Sequence, residues 1–399
     1  MLCERTHRFH IMTNIKTHIV KIILLSIFFI SIISSLPVFN NYANRLTQIF
    51  LMLIVIGLPL IVRRKNNLPY VYKALILMFL LVLCHIVFDK PIPSQYNPYP
   101  TTYYLSHLMV GGVAYFIGWS SLSIDEKMVK GALISLILVS IFTLTYAKID
   151  AELTYQVNTY TIMWLIPYCF IPKQNVIKKR KWIWGILLFA IFAILVTGKR
   201  TPLMTPVIGG IIAYLAWRKF SIKSVSKLII GGSLLLTIVC LLAWDKINYM
   251  TARWNEDIMM YKSYGDYGNG RSLIWALLIE NFKALPTFEQ FLGSGFQNTK
   301  TMTSILWGMD IGAHNDFIDS LVNYGYVGFI IHVCFSLGML VYGIKSIKTG
   351  SKESFLLLML PIMWIITEMV SSNNVRFSSA LYMFLYFYLV GKQQKHSLS

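Results

Sequence analysis

The sequence predicts an all-α polytopic membrane protein with about twelve transmembrane helices and one large external loop between spans 9 and 10. Three observations predict it. Of 399 residues, 56% are hydrophobic and only 13% are charged, a balance outside the range of soluble domains. The charged residues fall in short clusters between apolar runs. The density of Lys and Arg also alternates from one connecting segment to the next, as it does when loops face opposite sides of a bilayer.

In chain order the apolar runs place spans at 19–36, 46–62, 70–88, 105–122, 130–147, 159–172, 182–197, 202–217, 228–244, 325–344, 354–370 and 379–391. The first run starts near Val20 and lacks a small-residue cleavage site, so it reads as a retained span. Runs 159–172 and 379–391 are shorter than the roughly twenty residues of a straight span, so flanking residues must help them cross. Three regions follow: spans 1–9 over 1–244, the large loop with amphipathic helices over 245–324, and spans 10–12 with a tail over 325–399.

Orientation comes from the cations. With the N-terminus inside, the inner segments hold Arg63, Arg64 and Lys65, then Lys127 and Lys130, then Lys173 and 178–181. Further along they hold Arg218, Lys219, Lys223 and Lys227, then Lys345, Lys348 and Lys352, and finally Lys392 and Lys395. The short outer loops hold only Arg45, Lys90, Lys148, Lys199, Arg200 and Arg376. Both termini are therefore expected in the cytoplasm and the long loop on the outer face.

The formal charge of +19 does not imply a nucleic-acid partner, because the basic residues sit in connecting loops and not on one face. They read as topology signals and contacts to lipid headgroups. Four of the five cysteines lie inside apolar runs and no CxxC pair occurs, so neither a disulfide framework nor a metal cluster is expected.

Three outer segments differ from simple connectors. Residues 89–104 carry four prolines and four tyrosines. The prolines argue against helix there, and the tyrosines suit either a sugar ring or the headgroup belt. In 268–286, Ile274, Leu277, Leu278, Phe282 and Leu285 form an apolar stripe on a helix of about four turns ended by Pro286. That helix is expected on the membrane surface or over a cavity in the bundle. In 312–328, His314 and Asn315 stand ahead of Phe317, Ile318, Leu321 and Val322. That spacing starts a helix at the water boundary, where an ionisable His is a functional candidate; the segment also reads as a helix cap with a merely interfacial His.

Several cations are out of place. Lys199 and Arg200 share a tight outward turn, where two charges are costly near lipid unless an anion meets them or both side chains snorkel. Arg271 opens the surface helix, against its macrodipole. Arg253 and Arg376 are weaker cases near span ends. Outer-face arginines suit a phosphate-bearing ligand, because guanidinium binds phosphate oxygens in pairs and keeps its proton. With no DxD, HExxH or His/Cys cluster, no P-loop and no GxGxxG, neither a metal nor a nucleotide cofactor is expected.

TGKRTPLMTPVIGG (197–210), GNGRSLIWALLIENF (268–282) with FLGSGF (291–296), and AHNDFIDSLVNYGYVG (313–328) together resemble the O-antigen ligase/polymerase superfamily of bacterial membrane glycosyltransferases. The resemblance covers about the C-terminal half; the first six spans match only in hydropathy. It implies a GT-C-like bundle in the bacterial inner membrane and a donor glycan linked to undecaprenyl pyrophosphate. It also implies that Arg200 and Arg271 bind the pyrophosphate, that His314 is the base at the acceptor hydroxyl, and that Lys199 and Asn315 support them. Pro202 stands where the family usually has a small residue, which puts the shape of that turn in question.

Among family members, GRSLIW…FLGSGF…AHNDFID looks more like the Wzy-type polymerases, which join lipid-linked repeat units into O-antigen or capsular chains, with a chain-length regulator as a possible partner. The alternative is the ligase, which moves a finished chain onto lipid A–core. A transporter or flippase for lipid-linked sugar is a third reading. Transporters of this span count commonly have two similar six-span halves, and none are evident here.

Overall fold

A computed structural model describes residues 2–35, 40–61, 68–88, 98–120, 124–149, 159–171, 180–219, 270–295, 298–308, 312–351, 353–371 and 377–396, with single positions at 221, 226, 230, 255 and 259. The described residues are helical, and none of them forms a strand. The expected span at 228–244 and the loop up to residue 269 lie almost wholly outside the described residues.

The first helices are α1 (Leu2–Ile33), α2 (Asn40–Ile61), α3 (Tyr70–Phe88), α4 (Pro98–Trp119) and α5 (Asp125–Ile149). Next come the short α6 (Tyr160–Leu165), α7 (Arg180–Val196) and α8 (Arg200–Trp217). After the interval come α9 (Arg271–Ala284), α10 (Thr287–Leu292) and α11 (Asn298–Trp307). The chain then builds α12 (Asp316–Thr349), α13 (Ser354–Val370) and α14 (Ser379–His396). Among the described residues, two helices are long and apolar enough to cross a membrane by themselves, Asp125–Tyr146 and Asp316–Thr349. Six shorter apolar helices accompany them.

One expectation needs correction. The prolines of 89–104 do not exclude helix throughout, because α4 begins at Pro98. Pro98 and Pro100 fall in its first turn, where the missing N–H groups have no intrahelical partner to lose. The run at 159–172 is one apolar helix over Tyr160–Phe170 that changes form along its length: α6 ends at Leu165 and passes into a 3-10 turn, Ile166–Phe170. Pro167 sits at the start of that turn, where it cannot donate to a continuing α-helix.

The short final run finds its explanation in packing. In α14 every residue from Ser379 to Val390 is buried, as expected of a helix that is apolar all round. It is the axis of the bundle, and it runs parallel to α4. Their backbones touch at small residues: a Cβ on Gly118 would lie 2.0 Å from the Tyr388 carbonyl oxygen, and one on Gly391 2.1 Å from that of Tyr115. Tyrosines fix the axis to its neighbours. Tyr168 donates to the Leu381 carbonyl at 2.6 Å, and Tyr386 to that of Met339 at 3.0 Å.

The bundle has two distinct ends. At one, Lys392 reaches Asp125 at 2.7 Å and Glu353 at 3.3 Å, joining the start of α5, the start of α13 and the C-terminal part of α14. At the other, Ser35 bonds Thr161 at 2.7 Å, and Tyr160 donates to the Ser371 hydroxyl at 2.8 Å. The candidate site lies at this second end.

Candidate active site

Asn315 builds the segment that carries His314. Its Oδ1 accepts from the backbone N–H of Phe317 at 3.0 Å and of Ile318 at 3.2 Å, which starts α12 at Asp316 with a side-chain N-cap. The amide's other end, Nδ2, donates to the Met369 carbonyl at 3.1 Å. Asp319 closes the turn from inside the helix, its Oδ1 accepting the Ala313 N–H at 3.2 Å. His314 is left with φ of 53°, in the left-handed region that costs a non-glycine residue on the order of 1 kcal/mol or more. It is half-buried.

Arg271 enters from the loop. Gly270 precedes α9 at φ of 83°, and no side chain caps the helix. The Arg271 guanidinium donates through Nη1 to the Val370 carbonyl at 2.7 Å. Arg271 and Asn315 therefore hang from consecutive carbonyls at the C-terminal end of α13. The stripe of α9 buries Ile274, Leu278 and Phe282 against Ala313 and Val322, and Trp275 Nε1 donates to the Ala313 carbonyl at 2.7 Å. The amphipathic helix thus packs onto the His314 segment.

Arg200 reaches the same end by helix register. It is the first residue of α8, after a turn in which Gly198 has φ of 66°. Pro202, the departure noted in the sequence, lies buried in the first turn of α8, a position that tolerates proline. The helices α8 and α13 run antiparallel: Trp217 faces Phe355 at 6.4 Å, and a Cβ on Gly209 would meet Met363 Cγ and the Met359 carbonyl. Continuing that register brings Arg200 level with Val370 and Ser371. Lys199 is half-buried in the extended conformation just before α8. Arg253 and Arg376 lie outside the described residues.

The motif glycines interlock behind this site. At Gly325 α12 breaks, with φ of 66° and ψ of −169°, where the tenth span was expected to begin. The Phe291–Gly295 segment fits into the break. A Cβ on Gly325 would lie 2.5 Å from both the Gly293 nitrogen and the Phe291 carbonyl oxygen. Carbonyls released by the break find new donors: Gly295 N–H bonds Asn323 O at 3.1 Å, and the Ser294 hydroxyl bonds Val322 O at 3.4 Å. The Asn323 side chain accepts from Thr299 N–H at 3.0 Å and from its hydroxyl at 3.1 Å. Residues 316–324 thus form a separate short helix ahead of the span. Within it, burial pushes the Asp319 carboxyl up to about 6, against the opposing pull of the Ala313 N–H, Thr299 and Lys300.

Sequence reasoning missed a buried polar cluster beside the site. His332 Nε2 lies 2.6 Å from Glu368 Oε1, with both side chains essentially inaccessible, at 2% and 0% exposure. Glu368 also accepts from Trp364 Nε1 at 2.5 Å and from the Ser336 hydroxyl at 2.8 Å. His332 Nδ1 meets the Ser320 hydroxyl at 2.5 Å, and Phe317 stacks on its ring at 5.2 Å. An ionisable residue inside each of two apolar runs was the available signal.

The family model described as O-Antigen ligase matches residues 185–333. That stretch contains Arg200, Arg271, His314 and His332, and it ends before the carbonyls that hold Arg271 and Asn315. No curated protein matches the chain. The match over residues 185–333 supports the O-antigen ligase/polymerase superfamily, to which that stretch of the chain is similar.

Proposed function

We propose that the protein is a polysaccharide polymerase of about twelve spans in the bacterial inner membrane, with both termini cytoplasmic and its site on the periplasmic face. It joins oligosaccharide repeat units carried on undecaprenyl pyrophosphate. The observation that carries this reading is the pairing of Arg271 and Asn315 on the consecutive carbonyls of Val370 and Met369. It sets a guanidinium beside the segment of His314, at the end of the bundle that the α8 register also gives to Arg200.

In this reading the acceptor sugar hydroxyl loses its proton to His314 and attacks the anomeric carbon of the donor. The bond from that carbon to the pyrophosphate oxygen breaks as the new glycosidic bond forms. Arg200 and Arg271 neutralise the charge that grows on the leaving pyrophosphate, with Lys199 in support. A single displacement inverts the anomeric centre through an oxocarbenium-like transition state. Asn315 contributes by holding the His314 turn.

The ligase reading keeps the same chemistry and is favoured by the description that the matching family carries. One experiment separates the two. The gene is deleted in its own host, the surface glycan is run as a gel ladder, and the lipid-linked pool is extracted. Loss of a polymerase leaves lipid A–core with a single repeat unit, or short lipid-linked units and no capsule. Loss of a ligase leaves bare core and long chains on undecaprenyl pyrophosphate. An unchanged ladder and pool would overturn both. Complementation with His314→Ala, at normal abundance, is expected to restore nothing; normal product would remove His314 from the mechanism.

A further inference from the structure

The His332–Glu368 cluster has no part in the transfer steps above, yet it joins the start of α12 to the end of α13, the two pieces that place Asn315 and Arg271. Glu368 immediately precedes Met369 and Val370, whose carbonyls hold Asn315 and Arg271. His332 lies beyond the Gly325 break and reaches back across it to Ser320, and its ring stacks on Phe317. Contacts therefore close a ring: Asn315 leads through its own helix to Ser320, on to His332 and Glu368, along the chain to Met369, and back to the Asn315 amide.

Stability alone does not account for such a cluster. Ionisable side chains inside a span are costly, and well-packed apolar residues stabilise as well or better. Directed hydrogen bonds do what apolar packing cannot: they fix angles. Trp364, one turn before Glu368, orients the carboxylate with a bond of 2.5 Å, and Ser336 holds its other oxygen at 2.8 Å. With His332 placed between that carboxylate and Ser320, the rotation of α13 and the bend of α12 become one linked quantity.

We propose that His332 and Glu368 are positioning residues that set the distance between the His314 base and the Arg271 guanidinium by locking the bend of α12 to the end of α13. The proposal rests on the transfer reading for its ligand and on the geometry alone for its distances.

The test uses the full chain in nanodiscs. Binding of undecaprenyl pyrophosphate is titrated for the parent, Glu368→Gln, His332→Gln and the milder Ser336→Ala, each with Arg271 present and with Arg271→Ala. Spin labels at positions 273 and 369, both exposed, report the spacing of α9 and α13 without ligand. With Arg271 present, Glu368→Gln is expected to weaken binding by about tenfold and to broaden the label distance; in the Arg271→Ala background its effect should fall to about twofold or less. Equal losses in both backgrounds, or unchanged binding and distance in a folded variant, would overturn the proposal. Should the Gln variants fail to fold, Ser336→Ala gives the same two readings. A parent that does not bind the pyrophosphate overturns the transfer reading instead, and the label distances then decide the positioning role.

Discussion

Gly293 and Gly325 meet backbone to backbone: a Cβ on Gly325 would lie 2.5 Å from the Gly293 nitrogen, and one on Gly293 2.2 Å from the Asn323 carbonyl oxygen. Both residues also have positive φ, 87° and 66°. Gly325→Ala should therefore meet two penalties at once, a left-handed backbone and a collision with backbone atoms that cannot rotate away. The expected loss exceeds about 2 kcal/mol, while Gly350→Ala, with φ of 66° and open space around it, should cost only about 1 kcal/mol. Thermal unfolding in detergent compares the two directly, and equal losses would refute the interlock.

Asn315 does two jobs that substitution can separate. Asn315→Asp keeps the oxygen that caps α12 and loses the Nδ2 donor to Met369. It should cost about 1 kcal/mol of stability, because a carboxylate oxygen then faces the Met369 carbonyl, and lose at least about tenfold in turnover. Asn315→Ala loses both, with a further stability cost of about 1 kcal/mol. Unfolding midpoints and glycan-transfer rates measured on the same preparations check the split.

Asp319 gives a pH signature. Its carboxyl titrates near 6 in the folded protein, above its ordinary value of 3.8. The unfolded chain therefore releases this proton first, and the stability tied to the protonated form is full below about pH 4 and lost as pH rises through about 6. Asn at this position retains an oxygen for the Ala313 N–H and cannot ionise. Asp319→Asn should flatten the stability profile between about pH 4 and 6, measured as unfolding midpoint against pH. A profile parallel to the parent's would contradict it.

Glu368→Ala leaves His332, Ser336 and Trp364 facing a vanished acceptor, which should cost about 3–5 kcal/mol. Replacing His332 and Glu368 together with Leu and Met should recover the part of that stability lost by stranding His332, while Ser336, Trp364 and Ser320 still lose their partners. Under the positioning proposal it should not recover transfer. A double variant that is as active as the parent would show the cluster to be ordinary core.

The start of α12 was legible because it is written locally: apolar residues at helical spacing after an Asn that can cap. Its break at Gly325 was visible only as the beginning of an apolar run, since the cause is a segment docking from thirty residues upstream. The α9 stripe was legible too, though Leu277 is only partly buried and the true seam is Ile274, Leu278 and Phe282. What it packs on was not, because Ala313 and Val322 are distant in sequence. Arg271 could be chosen from its awkward place at a helix start, whereas its bond to Val370 joins residues 99 positions apart. His332 and Glu368 were each conspicuous as ionisable residues among apolar neighbours, but no local pattern marks them as partners.

The burial of α14 has a consequence for how the molecule is made. Gly118 and Gly391 face each other across the α4–α14 contact, yet about 270 residues of chain separate them. At a synthesis rate of roughly 5–20 residues per second, α4 waits some 15–55 s for its partner. During that interval the part of the aromatic seat already made, Tyr115 and then Trp164, stands open to lipid or to whatever insertion factor holds the nascent chain, and Trp364 joins it only shortly before α14 itself. Assembly in chain order therefore yields a cradle before it yields a bundle, and α14 is the helix that closes it.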